Sequence, residues 1–385
     1  MASLGIIGGR VLLPGRMEVA DIAVEDGCIA RIGVCTGGMV LDAKGLLVLP
    51  GVVDIHGDAF ERQLQPRPGV SFPADVALAD TEAQLLANGI TTAFHGVTLS
   101  WEPGLRSLDA WRALLEALQA RSWSCDMRVH LRWEAYNLDA LDMALSDIRA
   151  GRVHLVAFND HTPAILKKLR DPVAGAKYSE RAGMDLVAFT ELATGIASRA
   201  GEVPLGLSRI ASAARQAGLP LASHDDASID ARNAFREHGA RICEFPMSEE
   251  VAIAASAAGD WVVMGSPNVV RGRSHLGWAS AARLVEAGTC NVLSSDYFYP
   301  AMARAAMILS CRGALDLPAA WALISTNPAM AAGLEDRGTI AEGKRGDLVL
   351  IEPALCTVVA TIAGGRIGYL SAAGAARLRA HNRAP

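Results

Sequence analysis

The sequence predicts an α/β protein, a (β/α)8 TIM-like barrel with a small β-sandwich domain formed by both chain ends. Three observations favour this fold. Eight short apolar runs alternate with helix-like stretches, polar residues collect where the runs end, and both chain ends consist of short strand-like segments separated by Gly and Pro. A doubly wound open sheet is the alternative, but no GxGxxG motif follows any of the runs.

Both chain ends have the pattern of antiparallel strands. The N-terminal end contains "GRVLLPG", "VADIAVEDGCIARIG" and "GLLVLPG", and the C-terminal end contains "RGTIAEGKRGDLVLIEP" and "TVVATIAGGRIGYL". Alternating apolar residues bounded by Gly and Pro are typical of such strands. Neither end is long enough to bury a core alone, so we expect residues 1–48 and 338–385 to form one small domain together.

The middle of the chain, residues 49–337, carries the predicted barrel. Its apolar runs are residues 52–58, 89–96, 127–134, 153–160, 219–226, 240–246, 261–268 and 290–296. Several runs are separated by helix signals, because Ser107, Ser208 and Ser248 each precede an apolar-periodic stretch, as N-cap residues do.

The connection between the fourth and fifth runs is unusually long. Some 58 residues separate "VHLVAFND" from "LPLASHDD", whereas a barrel loop and its helix usually need far fewer. We interpret the insertion near residues 162–207 as a lid over the barrel mouth or as a contact between subunits.

Composition limits the partners and the compartment. The 385-residue chain has a formal net charge of −5 and no apolar run as long as a membrane helix needs. We therefore expect no nucleic-acid binding and no membrane binding, and we expect a homo-oligomer. The seven cysteines form no CxxC motif, and the N-terminus lacks the charged region of a signal peptide, so we expect reduced thiols and a cytoplasmic protein.

The ends of the predicted strands carry imidazoles and carboxylates. In "LPGVVDIHGDAFE" the first run ends in His56-Gly57-Asp58, and residues two apart on a strand point to the same side. The later runs end in His95, Glu134, Asp160-His161, His224-Asp225-Asp226, Glu244, Asn268 and Asp296. Each residue alone has a structural alternative, such as a core histidine or a helix cap. Together they would converge at one face of a barrel, where a divalent metal ion suits nitrogen and oxygen ligands.

These features resemble the amidohydrolase superfamily, whose members join a metal-binding barrel to a small β-sandwich built from both chain ends. The opening "LPGVVDIHGD" and the closing "GTIAEGKRGDLVL" are similar to the corresponding segments of that superfamily. Its members carry His-x-His on the first strand, whereas this chain has His56-Gly57-Asp58, so an aspartate replaces the second histidine.

Within the superfamily, one family has a more similar set of motifs. The segments "HGDAFERQLQPRPGVSFPAD", "ANGITTAFHGV", "HLRWE", "NDHTP", "ASHDDA", "EFPMS", "GSPNVVRGRSHLG" and "LSSDYFYPA" resemble, in the same order, the ribose 1-methylphosphonate 5-triphosphate diphosphatases of carbon–phosphorus lyase operons. The resemblance implies hydrolysis of that phosphorylated sugar to its 5-phosphate and diphosphate, as part of phosphonate catabolism.

The implied chemistry assigns roles to the strand-end residues. A divalent ion, zinc first and manganese or iron as alternatives, one or two per chain, would activate water and neutralise phosphate charge. The expected ligands are His56, Asp58, Glu134, His161 and His224. Asp296 is expected to be the general base, and it could also be a further ligand. Glu244 is either an additional ligand or the partner of a nearby cation.

Two stretches and the long insertion offer groups for phosphate. Arginines and backbone N–H groups in the Gly-rich stretch "SPNVVRGRSHLG" suit phosphate oxygens, although a solvated loop is the alternative. We expect Arg271 to hold the leaving diphosphate, with His275 as helper or proton donor; alternatively, Arg271 binds the distal phosphonate. The candidate substrate-binding residues are Arg67, Lys177, Asn268, Arg271, Ser274 and His275.

Two other functions stay open. A metal-dependent enzyme that hydrolyses a cyclic amide or deaminates a small heterocycle would use the same ligands, but it would need a pocket for a planar neutral ring, which the cations of "NVVRGRSH" disfavour. A catalytically inactive barrel that acts as a subunit or scaffold would have lost ligands, whereas the candidate ligands are all present here.

Overall fold

The computed structural model describes residues 4–35, 38–67, 69–272, 277 and 279–380, with only the backbone of residue 172. The N-terminal end begins with five strands, as the alternating pattern predicts. They are β1 Leu4–Leu13, β2 Arg16–Glu25, β3 Cys28–Ile32, β4 Met39–Asp42 and β5 Leu47–Pro50.

Eight parallel strands follow and form the predicted barrel. They are β6 Val52–Gly57, β7 Ile90–Leu99, β8 Asp126–Glu134, β9 Leu155–Asn159, β10 Leu221–His224, β11 Ile242–Glu244, β12 Trp261–Gly265 and β13 Val292–Ser294. Neighbours in sequence are neighbours in the sheet. The first and last strands meet through two backbone bonds, from Asp296 N to His56 O at 3.0 Å and from Asp58 N to Asp296 O at 2.9 Å. The predicted barrel is confirmed.

Four further strands complete the small domain from the other chain end. They are β14 Leu348–Glu352, β15 Thr357–Ala363, β16 Arg366–Leu370 and β17 Leu378–Ala380. With β1–β5 they form one nine-stranded sheet that branches at β1, which pairs with β4 near its start and with β5 near its end. Side chains from both ends, such as Ile6, Leu41, Leu348 and Ile362, share one buried cluster. The union of both ends is therefore confirmed, although β5 crosses the predicted boundary at residue 48.

Helices surround the barrel and follow each of its strands. In the described part of the chain they are α1 Glu61–Leu64, α2 Ala74–Ala87, α3 Leu108–Gln119, α4 Leu141–Arg149, α5 Thr162–Leu169, α6 Pro172–Ala182, α7 Leu186–Ala197, α8 Val203–Gln216, α9 Ile229–Glu237, α10 Glu249–Ala257, α11 Ser266–Arg271, α12 Ala281–Glu286, α13 Ala301–Cys311, α14 Leu317–Ala322, α15 Thr326–Ala331 and α16 Ala372–Ala375. Short 3-10 helices span Leu138–Ala140 and Ala200–Glu202.

Two of the three predicted helix caps are confirmed, and one is wrong. Ser107 accepts a bond from Ala110 N at 3.3 Å, and Ser248 accepts one from Val251 N at 3.3 Å. Ser208 lies inside α8, which begins five residues earlier at Val203. Pro204 lies in the first turn of α8, where its missing N–H would have had no partner within the helix. It therefore favours a helix that begins at Val203 and not after Ser208.

The seventh apolar run is shorter as a strand than the sequence predicts. We expected a strand over 261–268, but β12 ends at Gly265 and α11 begins at once. Pro267 in the first turn of α11 is compatible with a helix and lacks the N–H that a central strand would donate. Asn268 and Arg271 therefore lie on a short helix and not in a loop.

The described residues include no helix that is both long and apolar enough to cross a membrane. The seven cysteines are free thiols, as the sequence predicts.

A β-bulge shapes the end of β6. Asp54 pairs with Ala93 of β7 but Gly57 pairs with His95, so three steps along β6 correspond to two along β7. A bulge changes the side to which a strand residue points. Ile55 packs in the barrel interior, and its neighbour His56 also faces interior groups of β8, β10 and β11.

Gly57 at the end of this bulge has no room for a side chain. A Cβ atom there would lie 2.7 Å from both Asp54 Oδ2 and Ser295 Oγ. The Ser295 hydroxyl donates a hydrogen bond to Asp54 Oδ2, and this bond joins β6 to the segment after β13. The glycine therefore allows the seam between the first and last strands to close.

We expect Gly57→Ala to destabilise the fold, because its methyl group would force apart the Asp54–Ser295 contact. Overpacking of a tight core costs about 1–3 kcal/mol. The measurement is the urea midpoint of unfolding, followed by circular dichroism. Gly195→Ala in α7 is the matched control, since a Cβ there meets no atom within 4 Å, and its midpoint should stay or rise. Equal midpoints for the two variants would contradict the steric account.

Candidate active site

Three buried side chains lie together inside the C-terminal end of the barrel. His56, His224 and Glu244 come from β6, β10 and β11, and each offers a ligand atom within 4.8 Å of the others. His56 Nδ1 lies 3.0 Å from Glu244 Oε2. All three residues are buried. The structure thus brings two predicted ligands next to Glu244, whose role the sequence left open.

The polar atoms of this group fit a metal ion. Within the described chain, His56 Nδ1, His224 Nδ1 and both carboxylate oxygens of Glu244 are buried and form no well-directed hydrogen bond, although His56 Nδ1 lies close to Glu244 Oε2 and His224 Nδ1 lies close to Asp225 Oδ2. Leaving a buried polar group unpaired costs about 1–3 kcal/mol, so such atoms are normally satisfied. A cation bound by these atoms would satisfy them together. Two imidazole nitrogens and a carboxylate suit zinc, and also manganese or iron.

A second group of possible ligands adjoins the first. His161, His224 and Asp225 offer ligand atoms within 4.8 Å of one another. Asp225 Oδ2 lies 3.2 Å from His224 Nδ1 and 3.6 Å from His161 Nε2. His224 belongs to both groups, so the arrangement offers adjacent positions for cations. Whether one or two ions bind stays a prediction.

Glu134 has a clear structural function beside the second group. Its carboxylate accepts bonds from the backbone N–H of His161 at 3.2 Å and from the hydroxyl of Thr162 at 2.9 Å, which caps the start of α5. Its Oε2 also lies 3.2 Å from His161 Nδ1. Glu134 belongs to neither ligand group, so its predicted role as a ligand is not supported by this geometry and stays a prediction.

The pKa values of the histidines show where positive charge is favoured. Burial, with the nearby Arg132 guanidinium, lowers the pKa of His56 to about 3 and that of His224 to about 4. Both rings are therefore neutral, as metal ligands must be. For His161, burial is outweighed by bonds to Asp225 and Glu134, which raise its pKa to about 9. A positive charge is thus stable at His161, between two carboxylates.

Arg132 of β8 is a buried cation in the middle of the site. Its side chain extends between two predicted ligands: Nη1 lies 3.6 Å from Asp58 Oδ2, and Nη2 lies 3.1 Å from His224 Nε2. Its Nε atom is buried without a partner in the described chain. Asp58 faces this guanidinium and lies outside both ligand groups, so its metal-binding role stays a prediction.

Three non-glycine residues with left-handed backbones surround the site. Asp225, Phe245 and Asp296 have φ of 57°, 51° and 54°, and they follow β10, β11 and β13. Such backbones cost about 1–3 kcal/mol and cluster at functional sites. Phe245 packs edge-on against two imidazoles, with ring centroids 4.8 Å from His56 and 5.2 Å from His224. The strained turn therefore places a rigid ring that orients both candidate ligands.

Asp296 lies where the barrel closes. Its carboxylate occupies space left by a glycine, because a Cβ on Gly265 would lie 2.9 Å from Asp296 Oδ2. Burial and the nearby Asp58 raise the pKa of Asp296 to about 7. A carboxyl group with this pKa can exchange a proton near neutral pH, which suits the predicted general base. It belongs to neither group of ligands in the described chain.

The predicted phosphate-binding residues are dispersed. Asn268 donates to Ala279 O at 3.1 Å and accepts from Ala281 N at 3.2 Å, so its amide joins α11 to α12. Arg271 Nη1 donates a hydrogen bond to the hydroxyl of Tyr297 at 3.2 Å, and Tyr297 follows Asp296 in the chain. The other candidates are Arg67 in an exposed turn, Lys177 on α6, and Ser274 and His275, which lie outside the described residues. Their substrate-binding roles stay predictions.

Three interior residues of the site are not among those predicted from the sequence: Arg132, His130 and Phe245. His130 Nδ1 contacts Ile55 O at 3.0 Å, and its ring packs edge-on against His56 with centroids 5.0 Å apart. The signal was available in "RVHLRWE", where His130, Arg132 and Glu134 alternate and so share one face of the strand. The conformation of Phe245 had no comparable signal.

A barrel with imidazoles and carboxylates at the C-terminal ends of its strands, joined to a β domain from both chain ends, defines a class of metal-site hydrolases. The amidohydrolase family model matches residues 47–368, and the chain belongs to that family. It is an enzyme, a hydrolase.

Particular relatives narrow the comparison. The alpha-D-ribose 1-methylphosphonate 5-triphosphate diphosphatase of Escherichia coli K12 is 34% identical over 89% of this chain and 93% of its own. A dihydroorotase of Geobacter sulfurreducens is 36% identical over only 23% of this chain and 21% of its own. Among solved structures, a molinate hydrolase has a TM-score of 0.63 at 16% identity, covering 95% of this chain and 94% of that one, and so shares the fold.

We expect His224→Ala to lose bound metal, because His224 belongs to both ligand groups. His56→Ala should lose metal from the first group alone. The measurement is metal stoichiometry by elemental analysis after dialysis, with circular dichroism to verify folding. His238→Ala is the matched control, since His238 follows α9 and belongs to neither group. Full stoichiometry in His224→Ala would exclude it as a ligand.

Proposed function

We propose that this protein is a metal-dependent diphosphatase that converts α-D-ribose 1-methylphosphonate 5-triphosphate to α-D-ribose 1-methylphosphonate 5-phosphate and diphosphate. The observation that carries the proposal is the 34% sequence identity with the Escherichia coli diphosphatase, which extends over nearly the whole of both chains. The buried ligand groups and the cation among them support it, because this chemistry needs both.

The bound divalent ion would activate water and neutralise phosphate charge. His56, His224 and Glu244 would hold it in one position, and His161, once it has lost the proton that its raised pKa favours, would join Asp225 in holding a second. The protein's own contribution is to keep the imidazoles of His56 and His224 neutral by burial and to orient them with Phe245.

Asp296 would take the proton from the attacking water. Its pKa near 7 leaves a large fraction of the carboxyl group ionised at neutral pH. The carboxylate adjoins Gly265, where no side chain blocks it. The negative charge of the neighbouring Asp58 disfavours a second negative charge on Asp296, so Asp296 accepts a proton more readily.

Arg132 would stabilise charge on the triphosphate. A guanidinium forms paired bonds with phosphate oxygens, and its effect is large where water is excluded. Arg132 has a buried Nε without a partner in the described chain and is held beside the ligands by Asp58 and His224. This buried cation disfavours the alternative of a neutral planar ring, such as a cyclic amide.

The proposal is tested by product analysis. The purified, metal-loaded protein should release diphosphate and ribose 1-methylphosphonate 5-phosphate from the triphosphate, and it should release no ammonia from heterocyclic amines and open no cyclic amide. Phosphorus NMR identifies the products. Release of inorganic monophosphate in place of diphosphate would indicate attack at a different phosphoanhydride bond. If the metal-loaded protein releases neither from the triphosphate, the proposed diphosphatase activity is excluded.

Matched arginine variants test whether the activity belongs to this site. Arg132→Ala should lower kcat about 100- to 1000-fold, the usual loss for a donor that acts in the transition state. Arg128→Ala removes the same group from the opposite end of β8, where Arg128 pairs with Asp126. It should retain most of the activity. Similar losses in both variants would indicate a general effect on the barrel.

The pH dependence tests Asp296. A base must be deprotonated to act, so kcat should fall about tenfold per unit as pH decreases below about 7, the pKa of Asp296. Asp296→Asn should lose about 100- to 10,000-fold in kcat and also lose this acidic limb. Asp316→Asn, at the cap of α14, should keep rate and profile. An unchanged acidic limb in Asp296→Asn would assign the base elsewhere, with Asp226 and Glu244 as the next candidates.

A further inference from the structure

The segment immediately after His161 has an unusual charge. Residues 162–182, which form α5 and α6, contain five cations and two carboxylates, a net charge of +3 in a chain whose total is −5. The cations are Lys167, Lys168, Arg170, Lys177 and Arg181, and the carboxylates are Asp171 and Glu180. A concentration of positive charge in a chain that is negative as a whole is typical of a surface that attracts anions.

Carboxylates neutralise only part of this charge. Asp171 is the cap of α6 and accepts bonds from Val173 N at 2.9 Å and Ala174 N at 3.4 Å. Arg181 pairs with the buried carboxylate of Glu102, in the loop after β7. Lys177 forms no ion pair with any described residue.

Three of the cations line one cavity between α5 and α6. The cavity has a volume of about 340 Å³ and is lined by Lys168, Ala174, Lys177, Tyr178 and Arg181. Tyr178 holds two of these cations in place: Lys168 Nζ donates to its hydroxyl at 3.1 Å, and the Arg181 guanidinium carbon lies 5.1 Å from its ring centroid. The charges therefore surround a common space.

Helix α5, which carries Lys168 of the cavity, begins immediately after His161 of the second ligand group. Trp101 Nε1 donates to Thr162 Oγ1 at 2.9 Å, and this hydroxyl in turn donates to Glu134 at 2.9 Å. Beneath the cavity, Tyr178 packs against a small apolar cluster that contains Ile165 and Phe189. Lys168 lies seven residues after His161, about 10 Å along the helix axis, a distance that a sugar with an anion at each end can span.

We propose that this cavity binds an anionic phosphoryl or phosphonyl group of the substrate that is remote from the scissile bond. The inference rests on the proposed function, because it assigns a second anchor to the same substrate. One end of the molecule is held at the ligand groups while the other lies against Lys168 and Lys177, the two cavity cations that form no ion pair with a described residue. The chemistry common to the candidates is a tetrahedral oxyanion, which is either the methylphosphonate or the terminal phosphate of the triphosphate.

The test compares two lysine variants. The double variant Lys168→Ala/Lys177→Ala removes two charges from the cavity, and Lys167→Ala removes one charge from the same helix outside it. The double variant should raise KM for the triphosphate about tenfold, as expected for the loss of two exposed charge contacts. KM should rise more than kcat falls, because contacts far from the reacting bond act equally in ground and transition states. Lys167→Ala should resemble the wild type.

Binding of the two products identifies which anion is held. Calorimetry measures the affinity of inorganic diphosphate and of ribose 1-methylphosphonate 5-phosphate for each metal-loaded variant. Weaker binding of the sugar product by the double variant assigns the cavity to the phosphonate, and weaker binding of diphosphate assigns it to the terminal phosphate. Wild-type affinity for both, with the wild-type enzyme active, overturns the proposal.

The two proposals fail in different ways. If the wild-type protein releases no diphosphate from the triphosphate, the proposed function fails, but calorimetry with inorganic diphosphate still reports on the cavity. Binding that depends on Lys168 and Lys177 would retain an anion site, whereas identical binding by all variants would remove it.

Discussion

The buried carboxylate of Glu244, at the C-terminal end of the barrel, needs a positive charge beside it, and the arrangement of the whole site depends on this need. Glu244 is buried among the imidazoles of His56, His130 and His224, and neither of its oxygens forms a well-directed hydrogen bond in the described chain, although His56 Nδ1 lies 3.0 Å from Oε2. An isolated buried carboxylate is costly, and burial raises the pKa of Glu244. Neutral imidazoles compensate little of that cost, so a bound cation is the natural partner.

The surrounding fold maintains this arrangement through rigid local devices. The bulge in β6 turns His56 inward, the left-handed turn at Phe245 presses a ring against two imidazoles, and Gly265 leaves space for Asp296. Each device fixes the direction of a side chain and leaves the strands in place. Within the described barrel residues, the non-glycine residues with left-handed backbones therefore lie at the mouth of the barrel.

Much of the barrel could be predicted from sequence, because parallel strands buried on both faces appear as continuous apolar runs. The convergence of His56, His161 and His224 followed from the same pattern, since the C-terminal ends of barrel strands meet. The bulge and the left-handed turns could not be predicted, because they depend on contacts between distant strands. Arg132 was missed because an arginine within an apolar run resembles an exposed strand residue until the barrel closes around it.

The seam between β6 and β13 has a consequence for biosynthesis. His56 and Asp58 bond through their backbones to Asp296, so the site joins residues about 240 positions apart in the chain. The seam can close only after the last barrel strand has left the ribosome, and contacts so distant in sequence form slowly. Until then β6, which pairs with β7 on one side only, has a free edge and carries part of an incomplete site. A truncated or prematurely released chain would therefore expose a strand edge able to pair with other chains.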